Sequence, residues 1–400
     1  MSHLLLEDLC ELIVDCKNRT PPEAKPGTPV AGFAIGTPNI IDGRIRIAEA
    51  KPVGLETFNT WTSRATPREG DVVLTREAPV GRVGRVEAGM DICLGQRTML
   101  LRPSAVRSDS RFLHYLLLSP VVQDLLHGQA SGSTVAHLRV AQVRQLKLPE
   151  VPDAFTQRRI GAVLGGLDDK ITVNERIAGT ARSLGMALFS QAIQSDGAVD
   201  FEVDSVAIAL TRGVAPKYSD APDELIVLNQ KCIRDGRVNL SPARRTLGEK
   251  VKAPKLLHRN DVLVNSTGVG TLGRVARWTS DSEATVDSHV TIVRFDAQQI
   301  DPVCAGFAML RAQPDIEAMG EGSTGQTELR RAQVGGLVIT LPSPSRQREL
   351  RVELDSLEDR ADQALAESAA LATLRDTLLP QLMSGRLRVK DAEKIVEDHV

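Results

Sequence analysis

At 400 residues the chain is too long for one ordinary domain, and with 42% apolar and 25% charged residues it is neither disordered nor fibrous, so two globular units with their own cores are expected. A formal net charge of −2 gives no global attraction for phosphate. However, Glu349, Glu353, Asp355, Glu358, Asp359, Asp362 and Glu367 gather near the C-terminal end, which leaves basic residues elsewhere able to form a one-sided patch. No run approaches the roughly 20 apolar residues that span a bilayer, and Met1-Ser2-His3-Leu4 leads into an acidic segment rather than a signal peptide, so a cytoplasmic protein with no membrane partner is expected. Cys10, Cys16, Cys93, Cys232 and Cys304 are odd in number and show no C-x-x-C spacing, which reads as buried reduced thiols and not as a zinc site or a disulfide framework.

Taken in chain order, the elements state one plan twice. Ile41-Asp42-Gly43-Arg44-Ile45 is a D-G turn between apolar residues, and Arg234-Asp235-Gly236-Arg237-Val238 repeats it. Gly70-Asp71-Val72-Val73-Leu74 returns as Asn260-Asp261-Val262-Leu263-Val264. Gly81-Arg82-Val83-Gly84-Arg85-Val86 is aligned with Gly270-Thr271-Leu272-Gly273-Arg274-Val275. Gly132-Ser133-Thr134, Leu138-Arg139 and Ala141-Gln142-Val143 recur as Gly322-Ser323-Thr324, Leu329-Arg330 and Ala332-Gln333-Val334, and each copy closes on Leu-Pro, at Leu148-Pro149 and Leu341-Pro342. The offset stays near 190 residues throughout. Short β-branched runs such as Val72-Val73-Leu74 and Val290-Thr291-Ile292-Val293 between Gly, Pro and Asp turn signals mark strands, and helices are expected from Arg111 to Leu126 and from Val303 to Met319.

Each copy ends in a long amphipathic helix. After Pro152-Asp153, Ile160, Leu164, Leu167, Ile171, Ile177, Leu184 and Leu188 recur at helical spacing. After Ser343-Pro344, Leu350, Leu354, Leu357, Ala361, Ala364, Leu371, Leu374 and Leu378 keep nearly a 3-4 alternation. The fold class expected is therefore α+β: two repeated α/β domains and two long helices that pair as an antiparallel, coiled-coil-like rod with a pseudo-two-fold. At about 1.5 Å per residue a helix of roughly 40 residues reaches about 60 Å, more than the ~34 Å of one turn of B-DNA. The expected boundaries are residues 1–150 for the first domain, 151–197 for the central helix, 198–342 for the second domain, 343–389 for the C-terminal helix and 390–400 for a charged tail.

This order of globular domain, Leu-Pro-x-x-Pro-x-x-x-Gln helix, second domain and second Pro-x-x-Gln helix resembles the specificity subunits of type I restriction-modification systems. The matching residues are Leu148, Pro149, Pro152, Gln157 and Ile160, then Leu341, Pro342, Pro344, Gln347 and Leu350, and the stretch Leu378-Leu379-Pro380-Gln381-Leu382-Met383-Ser384-Gly385-Arg386-Leu387. The resemblance implies that each domain is a target-recognition domain reading one half of a split, asymmetric double-stranded DNA site. It implies that the helices set the spacing and dock two methyltransferase subunits, and that restriction/translocase subunits can join. It also implies that S-adenosylmethionine, ATP and magnesium sit on those partners, with no cofactor or metal on this chain. Gly165-Gly166 departs from the pattern by weakening the first helix.

No N-P-P-Y-type methyltransferase motif, phosphate loop or H-E-x-x-H is found, and His114, His137, His258 and His289 share no spacing, so a non-catalytic chain is expected. The glycines at 81–84 and 268–273 precede β-like patterns and read as strand turns. Base reading calls for Arg, Asn and Gln on loops that differ between the copies, with Lys, Ser and Thr on phosphates. The DNA-contacting candidates are Lys17, Asn18, Arg19, Thr20, Arg76, Ser131, Ser133, Thr134, His137 and Arg139 in the first domain. In the second they are Arg212, Lys217, Tyr218, Asn265, Ser266, Thr267, Ser323, Thr324, Gln326, Thr327 and Arg330. The Gly-Ser-Thr hydroxyls suit a phosphate or an ordinary helix cap equally. The competing reading is a duplicated scaffold that binds proteins and not DNA.

Overall fold

The computed structural model describes residues 4–130, 136–320 and 328–399. It divides into two compact units, Met1–Thr172 with Ser368–Val400, and Val173–Glu367.

In the first unit a six-stranded sheet runs Cys10–Asp15, Thr98–Pro103, Val72–Thr75, Val83–Arg85, Arg44–Ile45, Ile40–Ile41. Its central strands are buried on both faces. Val72, Leu74, Met99 and Leu101 point into a core shared with helices, while Val73 and Leu100 point into a second core with Ile35, Ile92 and Leu94 of the smaller sheet Lys51–Val53, Gly32–Ile35, Ile92–Leu94. The period of two along a strand explains why an unbroken apolar run serves both cores. In the second unit Val262, Val264 and Val293 face helices, whereas Leu263 and Ile292 face Leu228, Ala284 and Val286 of the second sheet. The main sheet there runs Ala207–Arg212, Val290–Phe295, Val262–Asn265, Val275–Arg277, and the other Tyr218–Ser219, Arg244–Thr246, Leu225–Leu228, Ala284–Val286. Both D-G turns form two-residue hairpins, with Asp42 and Gly43 at φ 50° and 77°, and Asp235 and Gly236 at 55° and 71°.

The same polar devices hold both units. Asp71 accepts from Arg102 Nε and Nη2 at 2.8 and 2.7 Å and from the Arg68 N–H at 3.0 Å. Asp261 does the same with Arg294, at 2.7 and 2.6 Å, and with the His258 N–H at 2.8 Å. Gln157 donates to the Pro152 carbonyl at 2.9 Å and accepts from the Asp109 N–H at 3.1 Å, and Gln347 repeats this with Pro342 at 2.7 Å and Asp301 at 2.9 Å. The Leu-Pro…Gln motif is thus a lock that ties the start of each long helix to the cap of a shorter one.

The third repeat aligns differently from the sequence pairing. The Gly81 N–H donates to Thr75 O and the Gly273 N–H to Asn265 O, so Gly81 corresponds to Gly273 and not to Gly270, because the second hairpin tip is longer. Two expected helices are each broken in two. Ser110–Leu118 and Pro120–Gln129 are separated by Ser119, extended at ψ 142° ahead of a proline that cannot donate; Pro302–Arg311 and Gln313–Met319 part at Ala312.

The long helices are Ala154–Ala192 and Pro344–Met383. Asp168 pairs with Arg375 at 2.6 Å within the first unit, and within the second Asn174 donates to Glu367 at 2.9 Å and Arg182 meets Asp362 at 3.4 Å. Rising numbers on one helix against falling numbers on the other mean antiparallel pairing. The buried seam of the first helix is Ile160, Leu164, Leu167 and Ile171 in the first unit, as expected, but Asn174, Ala178, Ala181 and Phe189 in the second. Ile177 and Leu188 lie beside that seam, and Leu184 is 47% exposed. Small residues occupy the seam there and let the helices close up against Ala361. The segment expected as a charged tail forms a helix, Val389–Glu397, with Ala392 buried. Four cysteines are buried and Cys10 is half-buried, all as free thiols. Among the described residues no helix is long and apolar enough to cross a membrane.

Candidate nucleic-acid interface

The ends of the main-sheet strands carry the candidate residues. In the first unit the chain leaves the strand Cys10–Asp15 and runs through residues 17–20. Lys17 lies over the Trp61 ring at 5.4 Å, the Arg19 carbonyl accepts from Trp61 Nε1 at 3.2 Å, and Gln96 hydrogen-bonds both Asn18 and Thr20. Arg76, just past the strand Val72–Thr75, pairs with Asp15 at 3.3 Å, and Arg64 donates to the Asp15 and Cys16 carbonyls at 3.1 Å each. His137 bridges to Glu77, which itself pairs with Arg97 at 3.6 Å. Arg139 is exposed, and its N–H is capped by Gln142 at 2.8 Å. Lys17, Asn18, Arg19, Thr20, Arg76 and His137 therefore belong to one connected polar face; Trp61, Arg64, Gln96 and Arg97 join it without having been singled out in the sequence.

In the second unit Arg212 ends the strand Ala207–Arg212, pairs with Glu328 at 2.6 Å and donates to the Leu329 carbonyl at 2.9 Å. Thr267 hydrogen-bonds His289 Nδ1 at 2.7 Å and bridges to Glu328. Lys255 reaches Thr211 Oγ1 and the Arg212 carbonyl, and with Arg212, Arg330 and Arg331 it lines an open cleft of about 600 Å³. Burial, with Arg331 nearby, draws the Lys255 ammonium below the ordinary lysine range. Lys217 and Tyr218 stand at the edge of the other sheet, where Arg244 covers the Tyr218 ring at 3.5 Å. Asn265 and Ser266 are fully buried. Asn265 donates to the Gln230 and Thr271 carbonyls at 3.0 Å, and Ser266 shares a hydrogen bond with Thr291, so both hold the hairpin and present nothing to a ligand. Ser131, Ser133, Thr134, Ser323, Thr324, Gln326 and Thr327 lie outside the described residues. Lys255 and Arg331 also escaped the sequence reading; the only signals for them were the basic run around Lys250 and Lys252 and the Arg330-Arg331 doublet.

The backbone hydrogen bonds of the two faces superpose residue by residue. Arg76 N donates to Arg97 O as Ser266 N does to His289 O, and Leu138 N donates to Arg76 O as Leu329 N does to Ser266 O. Asp15 pairs with Met99 in the ladder where Arg212 pairs with Thr291. The side chains at these matched places differ: Asp15 against Arg212, Arg76 against Ser266, His137 against Glu328. Among the described residues no cluster of three or more His, Cys, Asp or Glu could hold a metal ion.

No protein-family model matches the chain. Over 121 residues it is 25% identical to the type I restriction enzyme MjaIX specificity subunit of Methanocaldococcus jannaschii, and over 178 residues 27% identical to the type I restriction enzyme HindI specificity subunit of Haemophilus influenzae. The matched stretches span 27% and 38% of those two relatives, 30% and 41% of this chain. A crystal structure of a type I restriction-modification system S subunit from M. genitalium superposes with a TM-score of 0.59 at 16% identity, covering 95% of each chain. The resemblance seen in the motifs therefore holds in sequence over part of the chain and in fold over nearly all of it.

Proposed function

We propose that this chain is the DNA-reading specificity subunit of a type I restriction-modification system. Each unit reads one half of a bipartite, asymmetric duplex site through the face at its strand ends. The long helices fix the gap and dock two methyltransferase subunits, and restriction/translocase subunits complete the assembly. This chain performs no chemistry; S-adenosylmethionine, ATP and magnesium belong to the partners. The observation that carries the reading is one scaffold built twice with unlike side chains at matched strand-end positions of a polar face. Two unlike half-sites read from a common frame require that arrangement. The named relatives and the shared fold support it.

The test is to co-express the chain with the methyltransferase subunit of its own locus and map N6-methyladenine across the host DNA. One gapped motif with two unlike halves, lost when this chain is omitted, is the expected result. If the methyltransferase is bound and active but methylation does not depend on this chain, the duplicated protein scaffold is the correct reading. Identical half-sites would refute the asymmetric target.

A further inference from the structure

The cleft in the second unit is chemically unbalanced. Arg212 closes one strand, Lys255 comes from the loop before another, and Arg330 and Arg331 follow Leu329; the single carboxylate among them is Glu328, which pairs with Arg212 at 2.6 Å. Among the described residues Lys255, Arg330 and Arg331 have no carboxylate partner. Lys255 is not a loose surface lysine: Thr211 Oγ1 and the Arg212 carbonyl fix its ammonium against the cleft wall. Glu328 keeps a half-exposed side chain, so it can leave without opening the core. Clustered cations beside one half-exposed carboxylate make a seat for an anion such as phosphate.

Among the described residues the first unit has no such set of cations. By the hydrogen-bond register, Arg102 reaches the Thr66 carbonyl where Arg294 reaches that of Leu256, so Ala65 stands for Lys255, and Val140 stands for Arg331 as Asp15 does for Arg212.

We infer that this cleft grips one backbone phosphate of duplex DNA beside the second half-site, and that Glu328 competes with that phosphate for Arg212. The inference rests on the DNA-reading function proposed above. Its consequence is an asymmetric protein: the second unit holds its half-site partly by a sequence-independent clamp, which the Glu328 carboxylate weakens on cognate and other DNA alike.

The test uses the full chain in complex with its methyltransferase, titrated with duplex carrying the mapped motif at several salt concentrations. For Lys255→Gln with Arg331→Gln, affinity falls about tenfold or more, and the slope of log affinity against log salt flattens by about 1. The loss is equal on cognate DNA and on DNA with a scrambled second half, and the methylated motif is unchanged. Glu328→Gln raises affinity on both. A scan of single neutral methylphosphonates finds one position that weakens the unsubstituted complex and leaves the double variant indifferent. Unfolding midpoints that match the parent's keep these readings free of folding effects. Unchanged affinity and slope with the motif retained overturn the phosphate seat alone. If no methylphosphonate position matters while inorganic phosphate raises the unfolding midpoint of the unsubstituted complex and not that of the double variant, the cleft holds a free anion and the DNA assignment is overturned. Absence of salt-dependent DNA binding by the unsubstituted complex overturns both the seat and the proposed function.

Discussion

The first and second units share the polar devices that hold each fold and differ at the strand ends that carry the candidate residues. The buried Asp71 with Arg102 and Asp261 with Arg294, the Gln157 and Gln347 locks and the two D-G hairpins are the same devices at matched places. At the strand ends the pattern inverts: an acid in one copy, Asp15, stands opposite a base in the other, Arg212. Even the cation that reaches the strand-end carbonyl differs, being Arg64 in the first unit and Lys255 in the second. A duplicated chain can vary its strand ends because they bury no core, whereas Asp71, Asp261, Gln157 and Gln347 are buried and satisfy backbone or charge shielded from water.

The sharpest way to break this comparison is to attack a shared device in each copy. Asp71 and Asp261 are each 1% exposed, and removing either strips a largely buried arginine of the carboxylate that takes both its Nε and Nη2. Asp71→Ala and Asp261→Ala should each destabilise the fold by about 3 to 5 kcal/mol, measured by urea unfolding. A small effect in one copy beside a large one in the other would show that the two devices are not equivalent.

A buried histidine separates the units next. His114 lies five residues after the cap Asp109, and Gly306 holds the corresponding place after Asp301, where the Arg277 side chain fills the space. Burial pulls the His114 pKa from 6.5 down to about 4, while the arginines nearby outnumber the opposing Asp168. The folded state therefore refuses a proton that the unfolded chain accepts below pH 6.5. Stability is full above that pH, falls as pH drops from about 6.5 to about 4, and levels off below, a loss of about 3 kcal/mol. His114→Leu should remove that slope in a pH series of urea titrations. Asp168, which burial disfavours as an anion but Arg375 and Tyr115 hold below the usual carboxylate range, acts in a lower window and should leave its own acid limb in place.

Much of this frame was legible in the sequence because it rests on residues with only one structural use. Asp-Gly pairs favour positive φ, Leu-Pro closes each copy, and a glutamine at fixed distance lies in the first turns of each long helix. The repeat order followed from those. Other features depend on proximity that no local pattern encodes. The second-unit helix seam lies on Asn174, Ala178 and Ala181, and its small residues are outweighed in any apolar count by the exposed Leu184. The displaced third repeat reflects a longer hairpin tip, visible only in which carbonyl the Gly273 N–H reaches. The cations of the second-unit cleft come from three strand or loop ends far apart in sequence. Asn265 and Ser266 look like polar loop residues, yet the central strand carries them into the core.

The smallest effects test whether the glycines of the first long helix are weakness or fit. Gly161 faces the Asp109 cap and Gly165 the Arg111 side chain: a Cβ at 161 would sit 2.6 Å from Asp109 Oδ1 and 3.1 Å from the Phe112 amide, and one at 165 would sit 2.4 Å from Arg111 Nη1. Arg111 crosses this flat strip to pair with Asp169 at 2.8 Å. Gly166 faces open space. Alanine gains up to about 1 kcal/mol of helix propensity at any of these positions, so Gly166→Ala should stabilise by that amount. At Gly161 the same gain is opposed by overpacking of about 1 to 3 kcal/mol and by displacement of the cap carboxylate that accepts the Phe112 N–H, so Gly161→Ala should destabilise by about 1 to 2 kcal/mol net. In the second unit the register of Gln157 on Gln347 puts Arg351 where Gly161 stands, and Arg351 reaches Asp301 at 3.7 Å. Opposite signs for the two glycine variants in urea unfolding identify the strip as a close-packing surface for Arg111. Equal stabilisation by both would mean that the glycines weaken the helix and nothing else.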